Sequence, residues 1–418
     1  MRFEHGEMPI RIQVNNQSMI LQMIYHYGPI KRPDIADILG LTRPTITTSV
    51  KAMIEKGIVE EITDLTDKDE SAVVPGRKAY PVNIVADSQY FIGAEMRSVY
   101  RAVCITDYLG NVVYRDLDAT VYQDYEKNIQ MVSQMISRAM ESNVVPKEKI
   151  AGIGLCVPGM VDNESGMLRV HPGYNWRDKD MRGDLMSRIY YDGPVTVANN
   201  AYARTRSVQM FRREPLKGQS FAYMFISDGI ACPLVLNGIN SYESVVGLGE
   251  VGHTIMVPNG PRCRCGNYGC LEAFSSDQAI IDRCKEQLGS GKAGVLRRLC
   301  GDDPVTMGQI LEAQAQGDPE VCRIIQKAVY ILALNVTNIC NFACPNTMFI
   351  EGLLFERQEN KELLLDVINK NLYSATHAHT DVVFLQPDIY SGAMGAAAVA
   401  VKENLENYSE KKVRGSNG

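Results

Sequence analysis

Near the N-terminus, apolar residues recur at helical spacing. Ile20, Met23, Ile24 and Tyr27 share one face, and Gly28-Pro29 ends the pattern. A short second helix carries Pro33 in its first turn, turns Ile35, Ile38 and Leu39 inward and stops at Gly40. Thr42 is placed to cap a third helix, which tolerates Pro44 in its first turn because no intrahelical donor is lost there. Its inward face is Ile46, Val50, Met53 and Ile54, and its outward face is Arg43, Thr45, Thr47, Thr48, Ser49 and Lys51. A strand-like Ile58–Ile62 follows, then a polar stretch, then Gly76-Arg77-Lys78-Ala-Tyr-Pro-Val82. That order, with a two-stranded wing after the third helix, predicts a winged helix-turn-helix over residues 1–85.

From Gln89 the pattern changes to α/β. Tyr90–Glu95 and Tyr100–Thr106 read as strands, and Asp107–Asn111 supplies a turn before Val112–Tyr114. A helix over Tyr125–Glu141 leads to the apolar strand Ile150–Cys156. Val195–Ala198 is a further strand, opening at Asn199-Asn200 into a helix through Phe211. Phe221–Phe225 and Leu234–Leu236 read as a strand pair. Helical patterns cover Glu320–Asn341 and Glu356–Leu372, with the strand Met348–Ile350 between them. The small-residue run Ser391–Val399 predicts a helix able to approach a sheet closely.

Two groups of residues carry chemistry. On the third helix, short hydroxyls at Thr45, Thr47 and Thr48 allow close approach to a major groove, while Arg43 and Lys51 reach bases or phosphates. Arg77 and Lys78 on the wing are placed for a backbone or minor-groove contact. An acidic stretch, Asp64–Glu70, opposes this reading, and a protein-binding module with a solvated polar face is the alternative. The second group is His253 with Cys263, Cys265 and Cys270. Three thiols and one imidazole fill a closed tetrahedral zinc site, which makes the ion structural because no position remains for water. Gly266 and Gly269 permit the tight reversals that bring the thiols together. Glu250 and Glu272 flank these ligands without being needed to hold the metal.

Composition changes the picture little. The chain has 418 residues, 45% of them hydrophobic and 22% charged, which is ordinary for a globular protein of two or three domains. Its eleven cysteines point to a reducing compartment. The first residues lack the apolar core of a signal peptide, and no apolar run reaches membrane-spanning length, so a cytoplasmic protein without membrane contact is expected. The net charge of -6 argues against a nucleic-acid coat but permits a local basic surface.

The chain resembles the ROK proteins, a family of bacterial sugar kinases and sugar-responsive transcriptional regulators. The marker is Glu250-x-x-His253 with Cys263-x-Cys265-Gly-x-x-Gly-Cys270-Leu-Glu272. Gly152–Asp162, Asn199-Asn200-Ala and Gly392–Ala397 support it, and the N-terminal segment is similar to the winged helix of the family's regulators. The resemblance implies an actin-like/sugar-kinase fold of two lobes with sugar bound in the cleft between them. A small lobe over residues 86–198, completed by a helix at 388–405, and a large lobe over residues 199–387 with the zinc loop are expected. Glu250, His253 and Glu272 match the family's sugar-contacting residues, and Asn199 and Asn200 can still donate and accept hydrogen bonds. Against that role, a surface ion pair is the plain alternative for the two glutamates. In the loop His171–Trp176, Gly173 stands where the family commonly has asparagine, and Trp176 is placed either to stack on a sugar or to pack in a core.

The chain departs from the kinases of that family at three places. Their opening Asp-x-Gly-Gly-Thr corresponds to Glu95-Met-Arg97-Ser98-Val99, so two bare glycines become arginine and serine. Their second phosphate loop corresponds to Ser227-Asp228-Gly229-Ile-Ala-Cys-Pro233, which adds a negative charge and removes an amide donor. Their catalytic aspartate corresponds to Asn200, and a carboxamide cannot take a hydroxyl proton at neutral pH. These changes predict a non-enzymatic, sugar-responsive regulator, most simply a repressor, that does not use ATP. It would bind operator DNA as a homodimer or dimer of dimers. The alternative is an ATP-dependent ROK sugar kinase carrying a DNA-binding domain.

Overall fold

The computed structural model describes residues 8–63, 80–97, 99–171, 173–212, 220–244, 247–373 and 380–409. The chain forms two compact units, Met1–Glu214 with Tyr390–Gly418, and Pro215–Ile389.

The first unit opens with α1 (Met8–Tyr27), β1 (Ile30–Lys31), α2 (Arg32–Leu39), α3 (Arg43–Glu55), β2 (Val59–Glu61) and β3 (Pro81–Ile84). The strands form an antiparallel sheet in the order β1-β3-β2, which is the winged helix-turn-helix expected from the sequence. Thr42 caps α3, its hydroxyl accepting from the Thr45 amide at 3.4 Å. Ile20, Ile24, Ile35, Ile46, Val50 and Met53 are buried as the pattern required. Three positions differ. Tyr25 is fully buried where Tyr27, 42% exposed, was expected; Ile38 is 59% exposed; and Ser49 faces inward.

The rest of this unit is a five-stranded sheet in the order β11-β7-β4-β5-β6. It comprises β4 (Tyr90–Met96), β5 (Arg101–Asp107), β6 (Val112–Asp118), β7 (Ile150–Val157) and β11 (Val195–Asn199). Strands β11, β7 and β4 are parallel, and β5 and β6 continue antiparallel. Helix α4 (Tyr125–Glu141), capped by Asp124, lays Ile129, Val132, Ile136 and Ala139 on the sheet. A separate small sheet, β8 (Met160–Asp162), β9 (Met167–Val170) and β10 (Arg177–Asp180), precedes α5 (Met181–Met186). Helix α6 (Asn200–Phe211) follows β11 directly.

The second unit is built on β12 (Phe221–Ile226), β13 (Ile230–Ala231), β14 (Leu234–Leu236), β15 (Ile239–Asn240), β16 (Thr347–Glu351) and β17 (Asp381–Leu385). Its sheet runs β15-β14-β12-β16-β17, with β13 on β12. Its helices are α7 (Ser241–Ser244), α8 (Glu272–Ser275), α9 (Asp277–Gly289), α10 (Gly294–Cys300), α11 (Met307–Ala315), α12 (Pro319–Ala343) and α13 (Gln358–Asn371). Asp318 caps α12 through one carboxylate oxygen and the amides of Val295 and Leu296 through the other.

The chain then returns to the first unit as α14 (Ser391–Glu406). Its alanines lie against β4 and β7 at Gly93 and Gly154, where a Cβ would strike the carbonyls of Ala393 and Ala396. Ala397, Ala400 and Val401 join one core with Ile20, Ile24, Val50 and Phe91. Helix α14 thus packs both the central sheet and the winged helix. Ser18 bonds the Leu405 and Glu406 carbonyls at 2.9 and 3.0 Å. Tyr25 donates to the carbonyls of Tyr108 and Met210. Among the described residues, no helix is long and apolar enough to cross a membrane.

Candidate ligand and metal site

The short turn Val251–His253 and the loop after it bring His253, Cys263, Cys265 and Cys270 together, their ligand atoms all within 4.8 Å of one another. Cys263 Sγ is 3.7 Å from His253 Nδ1, and Cys265 Sγ is 3.8 Å from Cys270 Sγ. A tetrahedron with Zn–S bonds of about 2.3 Å has S···S edges of about 3.8 Å, so the donor set and its spacing fit a zinc ion. Two bridges, Ile255 with Cys270 and Arg262 with Tyr268, pin the loop. Gly266 and Gly269 take φ of 96° and 78°, as the reversals required. Burial pushes the Cys263 thiol up to about 12, a cost that a bound cation reverses by favouring the thiolate.

Glu272 begins α8 beside this cluster, its Oε1 3.9 Å from Cys263 Sγ. Its carboxylate, buried, is gripped by Arg264 through Nε–Oε1 at 2.6 Å and Nη2–Oε2 at 3.0 Å. Glu250, by contrast, is exposed. The turn Ser227–Gly229 is closed by the Ser227 amide on the Gly229 carbonyl, and Gly229 lies against the Arg264–Glu272 pair.

Asn199 and Asn200 belong to the first unit. Asn199 caps α6, accepting from the amides of Ala201 and Tyr202, and donates to the Gly159 carbonyl at 2.7 Å. Its carboxamide is therefore engaged at both ends. Asn200 is buried, and its backbone carbonyl accepts from Arg204. Trp176 lies in the core beneath α4, stacked on Tyr174 and donating to the Gln123 carbonyl.

Glu95 is fully buried and paired with Arg204, at 2.8 Å through Nη1 and 3.0 Å through Nη2. Tyr100 adds a hydrogen bond at 2.9 Å, and Arg97 lies over the Tyr100 ring. Burial favours the neutral acid, but the charge and hydrogen bonds of Arg204 hold the carboxyl below its ordinary value. Gly392 of α14 leaves no room between itself and this carboxylate. Arg204 is not legible in the sequence because no motif couples it to Glu95, whereas Arg264 sits inside the marker that ends on its partner Glu272, at a position the motif leaves unspecified.

On the winged helix, Arg43, Thr47, Thr48 and Lys51 are exposed along α3, and Thr45 is half-buried. Arg77 and Lys78 lie outside the described residues.

These features define a class: a winged helix-turn-helix joined to an actin-like, sugar-kinase fold that carries a cluster of one histidine and three cysteines. The chain belongs to the ROK family, which it matches over residues 92–403, and residues 15–68 match the MarR family. It is 26% identical to the xylose repressor of Bacillus subtilis over 349 residues, covering 82% of this chain and 83% of that protein. A crystal structure of a ROK family transcriptional regulator, a homologue of the E. coli MLC protein, covers 95% of this chain and 97% of its own at TM-score 0.78 and 22% identity. A ROK family glucokinase from Streptomyces griseus, in complex with glucose and AMPPNP, covers 74% and 99% at TM-score 0.63 and 21% identity.

Proposed function

We propose that this chain is a cytoplasmic, sugar-responsive transcriptional regulator, most simply a repressor, whose ROK portion binds a sugar without phosphorylating it. The observation that carries the reading is one chain holding both an exposed, Thr-capped helix with Arg43 and Lys51 and a ROK portion with Asn200 at the catalytic-base position. A buried Glu95–Arg204 pair stands where the family's kinases open their phosphate loop, which supports loss of ATP use. The similarity to proteins named xylose repressor supports the regulator reading. Residues 1–85 would be the DNA-binding domain, with one lobe over residues 86–214 and 390–405 and the other over residues 215–389, so that α6 goes with the first lobe and not, as expected from the sequence, with the second. A homodimer, or a dimer of dimers, would read a pseudo-palindrome with half-sites about 34–36 Å apart.

In this reading His253, Cys263, Cys265 and Cys270 hold a structural zinc that keeps Glu250, His253 and Glu272 in register for sugar hydroxyls. Carboxylates give the stronger, charge-assisted bonds to such groups. On the first unit, Asn200 would offer a carboxamide at the start of α6, which Asn199 caps.

The test is a thermal-shift screen of the zinc-loaded chain against sugars, sugar phosphates and Mg-ATP. The expected outcome is a shift with a sugar and none with Mg-ATP, followed by a sugar-dependent change in operator affinity. A Mg-ATP shift accompanied by phosphoryl transfer to a sugar would establish the kinase reading in its place.

A further inference from the structure

Arg264 occupies the position between Cys263 and Cys265, so the turn that gathers the thiols also fixes its backbone. Its guanidinium meets Glu272 edge to edge, Nε on Oε1 at 2.6 Å and Nη2 on Oε2 at 3.0 Å. The arginine side chain is 38% exposed while that of Glu272 is 6% exposed, so the pair has one buried end and one open end. Gly229 leaves space for it: a Cβ there would sit 2.8 Å from Arg264 Nη2 and 3.1 Å from Glu272 Oε2. The charges of Glu272 and Arg264 both act on the Glu250 carboxyl.

A guanidinium has five N–H donors, and this grip uses two. Each carboxylate oxygen keeps a further lone pair. Spare donors therefore lie beside spare acceptors at no net charge, and a hydroxyl, which both donates and accepts, matches that pattern. A phosphate or carboxylate only accepts. To use Arg264 it would have to draw the guanidinium from Glu272, leaving a buried carboxylate unpaired, and it would also face Glu250.

We propose that Arg264 is a specificity-determining residue, pairing with Glu272 so that the site selects an uncharged, hydroxyl-rich ligand over the phosphorylated or carboxylated form of the same sugar. The proposal rests on the reading of Glu272 as a sugar-binding residue and adds the charge class of the ligand. Removing the guanidinium turns a neutral donor–acceptor pair into a lone buried acid, and affinity for the uncharged sugar falls.

Calorimetry on the zinc-loaded full chain tests it, with D-xylose, D-glucose and N-acetyl-D-glucosamine as probes, each beside its phosphate ester, and D-glucuronate beside glucose. One uncharged sugar is expected to bind at least tenfold tighter than its anionic form. Arg264→Met should weaken that sugar at least tenfold with bound metal unchanged by atomic absorption. Arg264→Lys, which keeps the charge but loses the fork, should also weaken it and covers the case in which the methionine variant does not fold. Wild-type affinity in a folded, metal-replete variant, or tighter binding of an ester or of glucuronate, overturns the proposal alone. If the wild-type chain binds none of the probes, the sugar-site reading of Glu272 falls and the proposal falls with it.

Discussion

Glu95 and Arg204 form a buried ion pair, and removing one partner of such a pair leaves a charge with neither water nor counter-ion. Glu95→Gln or Arg204→Met is expected to cost about 3–5 kcal/mol in denaturant unfolding, and the double variant less than the sum. The pH dependence follows from the depressed Glu95 pKa. A carboxyl lowered on folding adds stability that is complete above its unfolded value of about 4.3 and is lost as pH falls through the folded value. Wild type should therefore lose stability more steeply than Glu95→Gln below about pH 4.3, as read from unfolding midpoints across an acid series. At the metal cluster, Cys263→Ser should abolish stoichiometric zinc and lower the melting temperature; full zinc occupancy in that variant would remove the metal assignment. The cluster was legible in the sequence because its four ligands fall between residues 253 and 270. The Glu95–Arg204 pair was not, because 109 positions separate its members and nothing local couples them.

At the level of elements, α3 came out with its cap and most of its inward face as read, because capping and periodicity are local. Misreadings fell where the buried stripe is narrow. Helix α2 has eight residues and buries only Ile35 and Ala36, so Ile38 one turn on points to solvent. In α1, Tyr25 and Tyr27 flank the stripe, and packing against Tyr108 decides for Tyr25. The small sheet β8–β10 is not legible in the sequence because its strands are only three or four residues long, too short for an alternating pattern to register. The exposed face of α3 is expected to behave as a DNA-contact surface. Arg43→Ala and Lys51→Ala should each weaken operator binding and reduce the salt slope by about 1, measured by fluorescence anisotropy. The Lys51–Glu55 pair at 3.7 Å is a surface contact and sets little against this. Thr42→Ala should cost about 1 kcal/mol in stability through the lost cap.

Across the molecule, the winged helix shares a core with α14 and β4. Tyr25 reaches the Met210 carbonyl near the end of α6, the helix that Asn199 and Asn200 begin. A ligand that shifts the start of α6 has a rigid element through which to bias the DNA-binding domain. Tyr25→Phe should fold and bind operator, yet show a smaller sugar-induced change in operator affinity, from a coupling whose usual scale is ~1–3 kcal/mol. An unchanged response would exclude α6 as the connecting element.

Helix α14 also sets the order in which the protein becomes competent during synthesis. Helix α3 leaves the ribosome early, but the alanines that complete its supporting core are translated only after the whole of Pro215–Ile389. At bacterial elongation rates the delay is on the order of tens of seconds. Throughout that interval α3 lacks part of the core that α14 supplies. A chain that stops before Ser391 lacks Ala397, Ala400 and Val401, and so leaves Ile20, Ile24 and Val50 without part of their core. The core beneath the winged helix is therefore completed from opposite ends of the described chain, with α14 the last helix to contribute.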